Sequence, residues 1–362
     1  MTEGMRLDYV DHRSDPAGWA RALGVSREAV ELHLASDVID LHIDSFIWTR
    51  IFGYDLTKRH GRGPFDARGL SMVDIPRVRE GCLTGGMWVI TTNPTRSSEG
   101  RARAFRENLA RLRGILESVP NDVAIVKDAA GYRAARAEGK HAAFLAIQGG
   151  NALDAPGAIE TLTEVVVRVT LVHLSVSSLG VTSSPAKGRK SGTAGLTDAG
   201  REYVRALNRK RVFVDLAHIN REGFFDAVET HDRSQPLIVT HTGVSGVHPH
   251  WRNLDDAQLR AVADTGGTIG VMYQSSFLGD RFWGGKAERI VDHLEHIVRV
   301  VGDDHASLGS DWDGLILPPR DMPTPLELPR LVQIMLDRKF GEARIQKILG
   351  GSFLRALALL RP

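Results

Sequence analysis

The chain holds a single cysteine, Cys82, in 362 residues. An internal disulfide is therefore excluded, and the usage fits a reducing compartment. A bias of charge is also missing: 46 Lys and Arg against 44 Asp and Glu leave a net charge of +2. That balance gives no ground for nucleic acid or an anionic membrane as partner. No apolar run approaches the roughly 20 residues that a membrane-spanning helix needs. The opening stretch Met1 to Ser14 is polar and charged, unlike a signal peptide, and the closing Leu357-Ala358-Leu359-Leu360 is too short for a lipid-anchor signal. The expectation is a cytoplasmic protein. No G-x-G-x-x-G follows an early strand, which counts against a doubly wound nucleotide-binding sheet, and there is no short-period repeat or low-complexity tail.

What is present is an ordinary soluble enzyme composition, 42% hydrophobic and 25% charged, in a length that suits one (β/α)8 barrel with insertions. The stretch Val38-Ile39-Asp40-Leu41-His42-Ile43-Asp44 reads as an apolar strand ending in two metal-seeking side chains. Residues two apart in a strand share a face, so His42 and Asp44 can meet one ion. Met87 to Ile90, Ala143 to Ile147, Val169 to Leu174, Val212 to Leu216, Leu237 to Thr240, Thr268 to Met272 and Ala306 to Ser310 read as further strands. Their continuous apolar character is that of parallel strands buried on both faces. Helical patterns alternate with them, one capped at Ser98 with Phe105, Leu109, Leu112 and Leu116 on a single stripe and another started by Thr197. The fold expected is a TIM barrel over residues 37–362, preceded by a helical segment over 1–36. A long loop from Thr49 to Leu70 reads as either a substrate lid or a solvated insertion, and Gly350-Gly351-Ser352 as a helix end and a new cap.

Polar candidates gather at the C-terminal ends of these strands, where barrel enzymes place their chemistry. Imidazole and carboxylate at such positions suit zinc or another first-row divalent metal. Together His42, Asp44, Gln148, His173, His218, His241 and Asp311 resemble the membrane dipeptidase (renal dipeptidase) family of the amidohydrolase superfamily. Asp74-Ile75-Pro76-Arg77, Gly195-Leu196-Thr197, Asp215-Leu216-Ala217-His218, Arg252-Asn253-Leu254 and Lys347-Ile348-Leu349-Gly350-Gly351 carry the resemblance across nearly the whole chain.

The resemblance implies a two-zinc barrel, a homodimer, that hydrolyses dipeptides and related amides, with His42 and Asp44 on the first ion and His218 and His241 on the second. It also implies a glutamate bridging both ions where this chain has Gln148. Asn151 and the stretch Leu174 to Ser178 depart from the family pattern too. In this frame Asp311 moves the proton from water to the leaving amine, His173 donates to the oxyanion, and Arg252 binds the substrate carboxylate with its planar fork. Glutamine offers one neutral oxygen and no charge to offset two cations. The expectation is therefore one ion at modest zinc concentration, held by His42 and Asp44 with help from His218 or Asp311, weak turnover of ordinary dipeptides, and a rise toward two ions in Gln148→Glu. Two other readings keep the barrel: a single-metal amidohydrolase acting on a different amide, and a silent relative that binds a small ligand. Asp311 favours catalysis; Gln148 pulls the other way.

Overall fold

Why the sheet is parallel and covered on both sides is plainest in Ala142-Ala143-Phe144-Leu145-Ala146-Ile147. Every one of these side chains is buried, so the strand must have a packed layer on each face. In the computed structural model, which describes residues 7–63, 65–188, 194–281 and 283–362, this run lies in one of nine strands. They are β1 (Ile39–Ile43), β2 (Gly85–Thr91), β3 (Val123–Ile125), β4 (His141–Gln148), β5 (Val166–Thr170), β6 (Phe213–Asp215), β7 (Ile238–Thr242), β8 (Thr268–Val271) and β9 (Ala306–Leu308). All the pairings between them are parallel. β1 pairs with β2 and β9, β2 with β4, and the order continues β4-β5-β6-β7-β8-β9. The ring closes as a (β/α)8 barrel.

The short β3 lies outside the ring, beside the first residues of β4, with Val123 opposite His141. It is absent from the sequence-based expectation. β5 also runs earlier than expected, beginning at Val166 and ending at Thr170, so that His173 lies past the strand rather than in it. The close approach of the strands depends on glycine: a Cβ on Gly309 would stand 1.7 Å from the carbonyl oxygen of Thr240.

Helices Pro16–Leu23 and Arg27–Ala35 precede β1, their N-termini capped by Asp15 and Ser26. Ala29 and Leu32 enter the main core, so this segment packs on the barrel. Ser97 rather than Ser98 caps the helix Ser98–Glu117, and Thr197 caps Asp198–Arg209 as expected. At the C-terminus the expected break at Gly350-Gly351 does not occur. A π-turn over Lys347–Gly351 runs straight into the helix Ser352–Leu360, and the Ser352 hydroxyl donates to the Asp303 carbonyl at 3.0 Å instead of capping. Phe353, Leu357 and Leu360 of that helix share a buried cluster with Ile39, Phe213 and Ile238, residues that begin their strands. That leaves the opposite, C-terminal ends of the strands for the site.

The segment after β1 is more ordered than a solvated loop. Its first part is the helix Phe46–Phe52, and His60 farther along donates its N–H to Asp74, which also caps the helix Ile75–Glu80 through the Arg77 N–H. Among the described residues no helix is long and apolar enough to cross a membrane.

Candidate metal centre

Each candidate side chain is delivered by the end of a strand or the turn after it. His42 lies in β1 with Asp44 just beyond, Gln148 closes β4, and His241 lies in β7; His173, His218 and Asp311 follow β5, β6 and β9. His218 (φ 66°) and Asp311 (φ 64°) adopt left-handed backbone, a conformation that costs a residue bearing a side chain on the order of 1–3 kcal/mol. Both line the same cleft, so the strained turns serve the site.

The expected pairs do meet. His42 Nε2 lies 3.5 Å from Asp44 Oδ2 and 3.7 Å from Asp311 Oδ1, and His218 Nε2 lies 2.7 Å from His241 Nε2. The two pairs are also in contact with each other, the rings of His42 and His241 having centroids 3.9 Å apart. Gln148 stands between Asp44 and His173. With its amide turned to satisfy both ends, Nε2 donates to Asp44 Oδ2 at 3.0 Å and Oε1 accepts from His173 Nε2 at 3.2 Å. Arg252 is buried, and its Nη2 donates to the His241 carbonyl at 2.7 Å. Its Nε has no partner.

Beneath these groups lies a polar layer that the sequence reading did not assign to the site. Asp215 accepts from the hydroxyls of Thr170 and Thr240 and from the backbone of Ala217 and Thr240, tying β5, β6 and β7 together. Asp40 accepts from the His42 N–H at 2.8 Å and the Ser310 N–H at 3.1 Å, which fixes β1 against the turn carrying Asp311. Arg168, with no exposure, reaches His42 Nδ1 at 3.1 Å and Asp215 at 3.3 Å. The signal for Arg168 was there to see: an arginine inside the run Val166-Val167-Arg168-Val169 puts a charge in a strand otherwise buried on both faces.

Burial decides the protonation states. It depresses the pKa of His42, pushes His173 down to about 4, and holds His218 and His241 well below the ordinary imidazole value. Burial, reinforced by the nearby Asp44 carboxylate, raises Asp311 well above the usual carboxylate range, with Arg252 opposing. Neutral imidazoles are the form in which histidine binds metal. Ligand atoms of His42, His241 and Asp311 lie within 4.8 Å of one another, and an N,N,O set of this kind fits one divalent ion. A second ion is less well provided for, because the Gln148 oxygen is neutral and accepts from His173. Asp311, expected as the proton carrier and as one of two groups that could help hold the ion, stands among the possible ligands.

The centre forms the floor of a cleft of about 1190 Å³ whose lining includes Asp44, Gln148, His173, His218, Arg252 and Asp311. Ile47, Arg50 and Ile51 from the helix after β1 form part of its wall, so that segment borders the cleft. Besides Asp44, Asp311 and Arg252, the described lining carries Arg50, Arg96 and Arg111 and one further acid, Glu107.

The same architecture recurs in known proteins. The chain is similar to the solved structure of dipeptidase AC, a metallopeptidase of family M19, with a TM-score of 0.78 and 25% identity over 89% of this chain and 98% of that one. It is similar in fold to a Rhodobacter sphaeroides metallopeptidase solved with a phosphinate mimic of the dipeptide L-Ala-D-Ala, with a TM-score of 0.76, 24% identity, and coverage of 89% and 98%. A Klebsiella pneumoniae protein known only as the uncharacterized protein in the pqqA 5′ region is 34% identical over 166 residues. That match spans 45% of this chain and 60% of the relative's length. Residues 26–360 match the membrane dipeptidase family, peptidase family M19, and the chain belongs to that family.

Proposed function

We propose that the protein hydrolyses dipeptides, or similar small amides with a free carboxylate, with water activated by a zinc ion at this centre. The observation that carries the reading is the meeting of His42, His241 and Asp311 at a cleft that Asp311, Asp44, His173 and His218 line, in a chain of this family. The dipeptide mimic bound by the Rhodobacter sphaeroides relative supports the substrate class.

A divalent ion held there supplies Lewis acidity, which lowers the pKa of water and polarises a carbonyl. The protein's own groups do the rest. Asp311 takes the proton of the attacking water and passes it to the leaving amine. Its raised pKa suits a group that must give the proton back. His173 is neutral near pH 7 and offers its Nε2–H, shared with Gln148 in the free protein, to the oxyanion as it develops. Arg252 lines the cleft, has donors to spare since its Nε is unpartnered, and holds the substrate carboxylate. The surplus of arginine in the lining favours an acidic side chain on the substrate.

The test is a chelator-stripped protein reloaded with zinc and assayed on a dipeptide panel that includes acidic residues, both stereochemistries and C-terminal amides. Chelator-sensitive release of amino acid, diminished by amidation, is expected. Absence of turnover on the whole panel with zinc, manganese or cobalt refutes the reading.

A further inference from the structure

Hydrogen-bond direction distinguishes the two halves of this centre. An arginine side chain has N–H donors and no acceptor, so the 3.1 Å contact between Arg168 Nη2 and His42 Nδ1 runs from arginine to ring. A neutral imidazole carries one N–H. With Nδ1 accepting, the hydrogen of His42 is on Nε2, facing the carboxylates of Asp44 and Asp311 at 3.5 and 3.7 Å. A metal-binding histidine needs the reverse: a bare nitrogen toward the ion and its hydrogen on the nitrogen behind, where an acceptor commonly takes it.

His241 has that reverse arrangement. Its Nδ1 lies 2.9 Å from Thr240 Oγ1, and the Thr240 hydroxyl gives its own hydrogen to Asp215 Oδ2 at 2.7 Å. Nδ1 must therefore be the donor, which leaves His241 Nε2 as a lone pair pointing into the site. It accepts there from His218 Nε2 at 2.7 Å; His218 Nδ1 has no partner, so nothing fixes that tautomer as Arg168 fixes His42, and the His218 hydrogen can move to Nδ1 and free Nε2 for an ion.

Asp44 is committed as well. The Gln148 amide donates to its two oxygens at 3.0 and 3.3 Å. Arg168 donates to His42, whose Nε2 faces Asp44 at 3.5 Å, and on the other side His173 donates to Gln148, which donates to Asp44. Arg168 has no freedom to leave, since it also donates to the Ile147 carbonyl at 3.1 Å and to Thr170 Oγ1 at 2.5 Å, and it lies 3.3 Å from Asp215.

We infer that Arg168 and Gln148 make the His42–Asp44 half a hydrogen-bond relay that takes no metal, and that a single ion is held on the His218–His241 half, facing Asp311. This rests on the metal-dependent reading above, but of the three groups that meet there it keeps His241 and Asp311 and puts His218 in the place of His42; it also reassigns the ion that the sequence places on His42 and Asp44. Arg168 is a positioning residue: it acts through the tautomer of His42. One consequence reverses a sequence-based expectation, for Gln148→Glu alone leaves the zinc count at one, because Arg168 still fixes His42 as a donor.

The decisive variants are His42→Gln and His241→Gln. Glutamine at 42 can accept from Arg168 through its oxygen and donate to Asp44 through its nitrogen, so it preserves the relay. Zinc content after saturation and desalting should be one per chain in the wild type and in His42→Gln. Competition with a chromophoric chelator should show zinc affinity changed by less than about threefold in His42→Gln, against a loss beyond the roughly 100-fold ceiling for residues behind a ligand in His241→Gln. Loss of zinc in both variants, or two ions in the wild type or in Gln148→Glu, overturns the inference. A readout needing no variant fold is ¹⁵N NMR of histidine in metal-free wild-type protein. His42 should appear as the Nε2–H tautomer and His241 as the Nδ1–H tautomer; an Nδ1–H signal for His42 overturns the inference. Dipeptide turnover with two ions bound would sink this wiring and leave the proposed function standing. One ion, the stated tautomers and no turnover would do the opposite.

Discussion

Arg252 offers the most direct test of what the cleft recognises. It is 3% exposed, one Nη is tethered to the His241 carbonyl at 2.7 Å, and Nε has no partner. A buried cation with an unpaired donor is costly by itself, and a substrate carboxylate arriving in the cleft would relieve it. Arg252→Ala deletes that charged hydrogen bond, worth about 1.5–3 kcal/mol, so kcat/KM on a free dipeptide should fall by roughly 10- to 150-fold. Alanine also frees the His241 carbonyl, and this part of the loss does not depend on the substrate. Steady-state kinetics on a free and a C-terminally amidated dipeptide separate the two effects. The loss on the amide should be distinctly smaller, and Arg252→Lys, which keeps the charge without the fork, should fall between wild type and alanine. Equal losses on both substrates would show that Arg252 only supports the backbone at His241.

Asp311→Asn removes the proton carrier and should lower kcat by about 10²–10⁴-fold; zinc content measured alongside tells proton transfer from ligand loss, and retained zinc with a loss below about tenfold would count against the role. At the far end of β4, His141 is wired as a neutral ring, accepting from the Trp88 indole at 3.1 Å while its Nδ1 lies 2.9 Å from the Leu83 carbonyl. Burial holds its pKa at about 4 in the folded protein, below the roughly 6.5 of an unfolded chain. Protons therefore bind the unfolded state more tightly, so stability is intact above about pH 7 and declines as pH falls from about 6.5 toward 4. At pH 5 the cost is roughly 2 kcal/mol for this one residue. Urea denaturation at both pH values should show His141→Gln losing about that much less than wild type on acidification; equal losses would mean that His141 is not the titrating group.

Much of the architecture was legible because burial on both faces forces an apolar run, and runs such as Ala143 to Ile147 have few other uses. The metal candidates were legible for a related reason: in β1, β4 and β7 a polar residue ends or interrupts such a run at the barrel's open end. β3 escaped because three residues, Val123–Ile125, are too few for periodicity to be read. The helix Phe46–Phe52 was submerged in the expectation of a loop. Arg168 escaped because the strand was begun one residue after it.

The sequence by itself determined the barrel, the family and which side chains reach its mouth, since each follows from the order of apolar and polar residues along single strands. Which nitrogen of each histidine carries its hydrogen follows from neighbours far away in the chain. Arg168 meets His42 across 126 residues of sequence, and Thr240 sets His241 only because Asp215, from another strand, claims its hydroxyl. Only closing the barrel brings those groups within hydrogen-bond distance, so tertiary structure alone decides which nitrogen of each ring is left with a lone pair.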